Sequence, residues 1–378
     1  MTAVVPFAPF YGSYQPEDCQ FLLTPIVPEY LSIEEKEHRI QTGQAHYSEM
    51  IHREEAPSPR YLALFETLCE RYAPRLAREV RQLAHQLVTD LGVSASPITL
   101  VSLVRAGTPA GALLRRALVD YEDQACQHYS VSIIRDRGID IAALDYLLDD
   151  VGVDAKRIVF VDAWTAKGVI TRELRSDMSR YNTARRAKGK STVATRLAVI
   201  SDIGGSADYA ATCEDYAIPS GILNATVSGL VSRSVLNHQV PEGAFHGCVL
   251  YADLAPYDQS QAFIERVAMH LSQPLDDVSL PTEGELTRQR CLMQEMLAQI
   301  QRHYRVDDIN YIKPGIAEAT RVMLRRVPAL LMVRDTAHPD VEHLILLAEE
   351  KGVPVDVCPD MPFHACSLIK AVTKAEAI

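Results

Sequence analysis

No CxxC pair occurs among the eight cysteines, which stand singly at positions 19, 69, 126, 213, 248, 291, 358 and 366. Neither a zinc ribbon nor a disulfide framework is signalled, and buried thiols in a reducing compartment are the expectation. Long apolar runs are also lacking, so no segment reads as a transmembrane helix. The opening stretch MTAVVPFAPFYGSYQPED lacks the charged start and apolar core of a secretory leader, which makes a cytoplasmic protein with no membrane partner the expectation. Cationic charge is in deficit. The 38 Lys and Arg face 49 Asp and Glu, for a net charge of −11, which argues against nucleic-acid binding over the whole surface. The GxxxxGK[ST] spacing is absent, and with it the Walker-type phosphate loop.

What is present is the balance of a globular protein: 378 residues, 47% hydrophobic and 23% charged, enough for two or three domains. Residues 1–30 read as an aperiodic arm. Ser32, followed by Glu34 and Glu35, predicts a capped helix over 32–55, which Pro57 and Pro59 stop. Apolar spacing over 60–91 predicts two helices split at Pro74. From residue 97 short apolar runs alternate with helical stretches. Strands are predicted at 98–104, 129–134, 157–162, 195–201 and 247–253, with helices at 109–119, 140–150 and 169–181. That alternation implies right-handed crossovers and a parallel sheet, whose ligand sits beyond the carboxyl ends of the strands. A linker at 274–284 and a helix at 285–304 lead to a last α/β unit. Its predicted order is helix 315–326, strand 329–333, helix 339–351, strand 353–357 and helix 362–372.

Two strand-to-helix junctions carry chemistry. In RIVFVDAWTAKGVITREL, free amides of the turn and helix N-terminus can face a phosphate. Thr165 offers a hydroxyl, Lys167 a charge, and Ala166 and Gly168 room for close approach. Asp162 can accept hydrogen bonds from sugar hydroxyls. The alternative is a plain strand–turn–helix junction. In SLVRAGTPAGALLRRAL, Arg105 with Ala106 and Gly107 suits a pyrophosphate, or is a surface arginine in a tight turn. Arg135 and Arg137 follow the second strand as a lid or as a solvated turn. Ser220, Gly221, Asn224, Ser228 and Arg233 belong to a polar run that reads as acceptor binding or as a packed Ser-rich helix. Residues 311–334 hold Lys313, Arg321, Arg325, Arg326 and Arg334 against the single acid Glu318, a local basic patch despite the overall deficit.

These segments resemble a known family. DCQFLL (18–23), HYSEMI (46–51), SLVRAGTPAG (102–111), FVDAWTAKG (160–168), DYAIPSGILNATVSGLVSRSVL (215–236) and GIAEATR (315–321) are similar to the phosphoribosyltransferase family with a C-terminal Pelota-like RNA-binding domain. That family lies near tellurium-resistance stress genes and also goes by the name cysteine protease StiP. The resemblance implies an α/β fold: a type I phosphoribosyltransferase-like parallel core with a helical N-terminal extension and a small C-terminal Pelota-like module. Boundaries on this reading are 1–96, 97–255, 256–305 and 306–378.

It further implies an enzyme that holds a phosphoribosyl-pyrophosphate-type donor with Mg2+ and transfers or cleaves its ribosyl group. Asp162, Thr165, Ala166, Lys167 and Gly168 would hold phosphate and ribose, and Arg105, Ala106 and Gly107 the pyrophosphate. No metal site is expected from the protein alone, and a homodimer is compatible with the reading. Ala163 departs from the usual phosphoribosyl-pyrophosphate loop, which has a second acid there. Gly315, Glu318, Thr320, Arg321 and Arg325 would meet RNA. Two alternatives stay open: a donor-sensing RNA-binding protein without catalysis, and a cysteine protease using Cys19 with His46, or Cys213.

Overall fold

The computed structural model describes residues 8–275 and 280–371. Positions 1–7 of the arm, 276–279 of the linker and 372–378 lie outside the described residues. Six strands form one parallel sheet: β1 (Gln20–Leu22), β2 (Ile98–Leu103), β3 (Cys126–Val131), β4 (Ile158–Thr165), β5 (Leu197–Asp202) and β6 (Tyr209–Thr212). Their order is β1-β3-β2-β4-β5-β6, and every neighbouring pair is parallel. All six residues of β2 and of β5 are buried, because helices cover both faces.

One face carries α2 (Pro59–Leu91) and α3 (Gly107–Tyr121), with α5 (Ser260–Ala268) packed on both. The other carries α4 (Val169–Ala187), whose Leu174 and Met178 share a core with Val101 and Phe160. Chain order reverses between β2 and β4. That switch point opens a crevice at the carboxyl edge, where ligands of such sheets bind.

Ser32 does cap a helix, accepting from Glu35 N at 3.0 Å, but this helix, α1 (Ile33–Gln41), stops well short of residue 55. Pro74 does not split α2, which runs unbroken for 33 residues. Burial of Ala73, Leu76, Ala77 and Val80 along it outweighs the one lost backbone hydrogen bond. The expected strand at 247–253 is only Gly247–Cys248, paired with Thr24–Pro25 outside the main sheet. The places at the sheet's edges go to β6 and to β1, drawn from the arm. β4 runs three residues past its expected end at Asp162.

The C-terminal module has a second sheet of β7 (Ile312–Pro314), β8 (Pro328–Val333), β9 (Val355–Val357) and β10 (Ala365–Ile369), in the order β7-β10-β8-β9. It is joined by α6 (Glu283–Tyr304), α7 (Ile316–Arg325) and α8 (Glu342–Lys351). A helix was expected at 362–372. Residues 365–369 form β10 instead, one of the two inner strands, antiparallel to both neighbours. Its five residues are all buried, and an apolar run covered on both faces has no period to separate strand from helix. Among the described residues no helix is long and apolar enough to cross a membrane.

Candidate functional site

The crevice at the switch point is floored by the β4–α4 turn and roofed by the C-terminal module. β4 places Asp162 and Trp164 on one side of the strand. Ala166, Lys167 and Gly168 then turn the chain, with Gly168 at φ 64° so that α4 can start. A Cβ on Gly107 would stand 2.3 Å from the Val161 carbonyl oxygen, so only glycine lets α3 approach β4 this closely. A cavity of about 550 Å3 results, lined by Tyr47, Arg135, Asp162, Trp164, Thr165, Lys167, Gly168, Lys313, Glu318, Arg321 and Arg326 among others. Burial raises the Asp162 carboxyl to about 7, against the pull of Arg321 and the Ala163 amide. Burial, with Lys313 beside it, lowers Lys167 to about 7. Glu318 moves the other way. Burial would raise it, but Arg321 and Lys313 prevail and hold it near 2.

Of the expected phosphate residues, Asp162, Thr165, Ala166, Lys167 and Gly168 all line this cavity. Arg105 does not reach it. Its guanidinium is buried and paired with Glu54 at 2.6 Å, and it donates to the Val231 carbonyl and the Asn224 side chain. Arg105, Ala106, Ser220, Gly221, Asn224 and Ser228 instead line a nearly closed cleft beside the cavity, with Trp164, Arg321 and Arg325. The run holding Ser220 to Arg233 is no packed helix; it is short turns, two of them 3-10. Arg233 sits apart, bonded to the Tyr47 and Met50 carbonyls. Arg135 lines the cavity and its backbone N–H donates to Tyr47 Oη at 2.8 Å; Arg137 pairs outside with Glu49 at 2.7 Å.

The residues that resemblance gave to RNA face inward. Gly315 abuts Ile203, and the adjoining Ile316 N–H donates to Asp215 at 2.9 Å. Thr320 is fully buried against His343. Glu318 accepts from Trp164 Nε1 at 3.1 Å and from Arg321 at 2.7 Å, and Arg321 stacks over the Trp164 ring at 4.5 Å. Arg325 Nε donates to Asn224 at 2.6 Å. Three docking partners were not expected from sequence: Glu37, which pairs with Arg326; Lys36, which donates to the Arg325 carbonyl at 3.1 Å; and Asp215. An acid next to a lysine in a helix looks like solvated surface until a partner covers it.

The thiols are not poised in this conformation. Cys19 is fully buried, its Sγ 3.2 Å from Ser130 Oγ, and burial pushes it up to about 12. His46 bonds Ser48 instead, so the structure does not join the two. Cys213 is half-buried and raised to about 11 by burial, then by Asp202 and Glu285. Cys126 and Cys358 bond the Gln127 carbonyl and the Tyr304 hydroxyl. Among the described residues no three His, Cys, Asp or Glu side chains converge on a metal position.

A doubly wound parallel α/β core with a small α/β module over its carboxyl edge is the class of protein defined by this fold. Residues 12–268 match the model of the tellurite-like stress resistance cysteine protease StiP, and residues 292–371 match the PELOTA RNA binding domain. The cysteine protease StiP of Acinetobacter baylyi is 41% identical over 377 residues, covering 97% of this chain and 95% of that one. The chain belongs to the StiP family. Among solved structures, a hypoxanthine phosphoribosyltransferase of Trypanosoma cruzi is 18% identical over 37% of this chain and 77% of that one, at a TM-score of 0.28. A likeness that slight carries no argument. The expected phosphoribosyltransferase activity is therefore corrected: family model and relative alike bear the name of a cysteine protease. Arg105, expected on a pyrophosphate, is instead paired with Glu54 away from the cavity.

Proposed function

We propose that this protein is a thiol-dependent peptidase acting in resistance to tellurite-like stress, with a C-terminal module that engages RNA. The observation that carries the reading is the 41% identity, over nearly the full length of both chains, to a relative named for that activity. A nucleophilic thiol must be reached by a peptide. Cys19, Cys69, Cys248 and Cys366 are buried, which sets them aside. Cys213 directly follows β6 at the carboxyl edge of a parallel sheet, the edge where such folds place their chemistry. It is the nucleophile we assign. At about 11 its thiol is protonated at rest, so the base or cation that frees the thiolate comes with substrate or partner.

Cleavage of a peptide library, read by mass spectrometry, tests this. Cys213→Ala is expected to abolish cleavage and Cys19→Ser to retain it. Absence of any cleavage would overturn the peptidase reading, and cleavage that survives alkylation of every accessible thiol would overturn its thiol dependence; loss in Cys126→Ala, Cys291→Ala or Cys358→Ala, with Cys213→Ala active, would overturn the assignment to Cys213.

For RNA, the inward face of α7 is committed to the core. Arg302 and Arg305, exposed at the end of α6, offer cations to an approaching polyanion. Filter binding of structured RNA by the full chain should weaken, with a shallower salt slope, when Arg302 and Arg305 become Glu. Unchanged affinity and slope would move the RNA surface elsewhere.

A further inference from the structure

The cavity holds two lysines in different states. Lys167 Nζ is held by the carbonyl oxygens of Ile309 and Ile312, at 2.7 and 2.8 Å. Lys313, on β7, lines the same cavity and among the described residues makes no side-chain hydrogen bond or ion pair. Arg326, Arg135 and Arg321 bear on it, against the carboxylate of Glu318, which exerts the largest single charge influence. That carboxylate is already engaged by Trp164 and Arg321. Burial first, and then the three guanidiniums, push the Lys313 ammonium below the usual lysine range. An amine with no side-chain partner among the described residues, partly shielded from water and close to several guanidiniums, loses its proton more readily and is then a nucleophile toward carbonyl carbon.

We propose that Lys313 is a covalent binding residue that forms an imine with a small aldehyde or ketone bearing an anionic group. The Nζ lone pair forms a bond to the carbonyl carbon while the C=O π pair moves to oxygen. That oxygen takes up a proton and the nitrogen loses one, giving a carbinolamine. The nitrogen lone pair then expels the hydroxyl, protonated as water, and loss of the last N–H proton leaves the neutral imine. One amine and one carbonyl become one imine and one water, with no redox partner. Asp162 lines the same cavity, and at about 7 it can hold the proton that the departing hydroxyl needs.

The ligand's anionic group is recognised by the free amides at the start of α4, and Arg321 and Arg326, which also line the cavity while paired with Glu318 and Glu37, add positive charge beside it. The space of about 550 Å3 suits a small molecule. The inference stands apart from the peptidase reading, because peptide cleavage does not report on it.

Pyridoxal 5′-phosphate with borohydride reduction is the probe, used on the full chain with peptide mapping. The expected result is one stoichiometric label, on Lys313, which inorganic phosphate suppresses. Pyridoxal, which lacks the phosphate, should label that position about tenfold more slowly, the loss of roughly 1.4 kcal/mol of anion recognition. Lys313→Arg keeps the charge and should remove the label. Lys167→Arg should leave Lys313 labelled, and thermal melting shows that both variants are folded. Label spread over the exposed Lys156, Lys188 and Lys190, label on Lys167 alone, or equal rates with pyridoxal would overturn the proposal. So would phosphate binding with no reducible adduct.

Discussion

Trp164 Nε1 donates to the Glu318 carboxylate at 3.1 Å, so the end of β4 is hydrogen-bonded to the first turn of α7. The contact joins core and C-terminal module across the cavity, and Arg321 closes it by pairing with Glu318 while lying over the indole.

The acid limb of stability should report that contact. Glu318 is depressed from 4.5 to about 2, so its contribution is complete above about 4.5 and is lost as pH falls toward 2. Urea melts at stepped pH should show wild type losing more stability over that window than Glu318→Gln. Near neutrality the variant should be less stable by about 1–3 kcal/mol, from the unpaired Arg321. Parallel curves would deny the contact its role.

Asp162 has the opposite sign. Its folded value is raised from 3.8 to about 7, so the native state binds the extra proton and stability falls as pH rises across that interval. Asn at this position keeps the acceptor for the Ala163 amide and cannot ionise. Asp162→Asn should flatten the fall between pH 4 and 7 and leave the variant more stable than wild type at pH 8. A wild-type profile in the variant would count against the burial.

Arg105 and Glu54 form an ion pair that water barely reaches, with side chains 3% and 5% exposed. Glu54→Gln strands the guanidinium, and a cost of about 3–5 kcal/mol is expected in chemical denaturation. A cost under 1 kcal/mol, which is what a solvent-screened surface pair would give, would show the site to be open.

Asp215 is the latch of the module. Its two carboxylate oxygens accept from Ile316 N at 2.9 Å and His364 N at 2.8 Å, at the start of α7 and just before β10. Asp215→Ala leaves two buried amides unsatisfied. Limited proteolysis should then cut faster near the linker at 274–284, while circular dichroism stays near wild type. Equal cleavage rates would place the docking energy elsewhere.

Much of the fold is legible along the chain, because buried strands and capped helices are local patterns. The alternation after residue 97 predicts the parallel sheet, Ser32 predicts its cap, and the tail reads as a separate α/β unit; all three are found. Legibility fails where burial on both faces erases the period, as in β10, or where packing overrides local preference, as at Pro74 in α2. In the site, the five residues of the β4–α4 junction were visible because strand, small residues and helix start are contiguous. Arg105 and the inward face of α7 were not. A guanidinium looks alike in sequence whether it awaits a phosphate or is paired with Glu54, 51 positions away.

By itself, then, the sequence determined the layered α/β core, the turn over residues 166–168 and the family to which the chain belongs. The tertiary structure alone decided which charges are free. Arg105 and Arg325 are engaged by Glu54 and Asn224, Cys19 is buried just before β1, and Lys313 lines the cavity with no side-chain hydrogen bond or ion pair among the described residues. The physical reason is that the state of a charge depends on its dielectric and on its nearest opposite, and distant segments supply both.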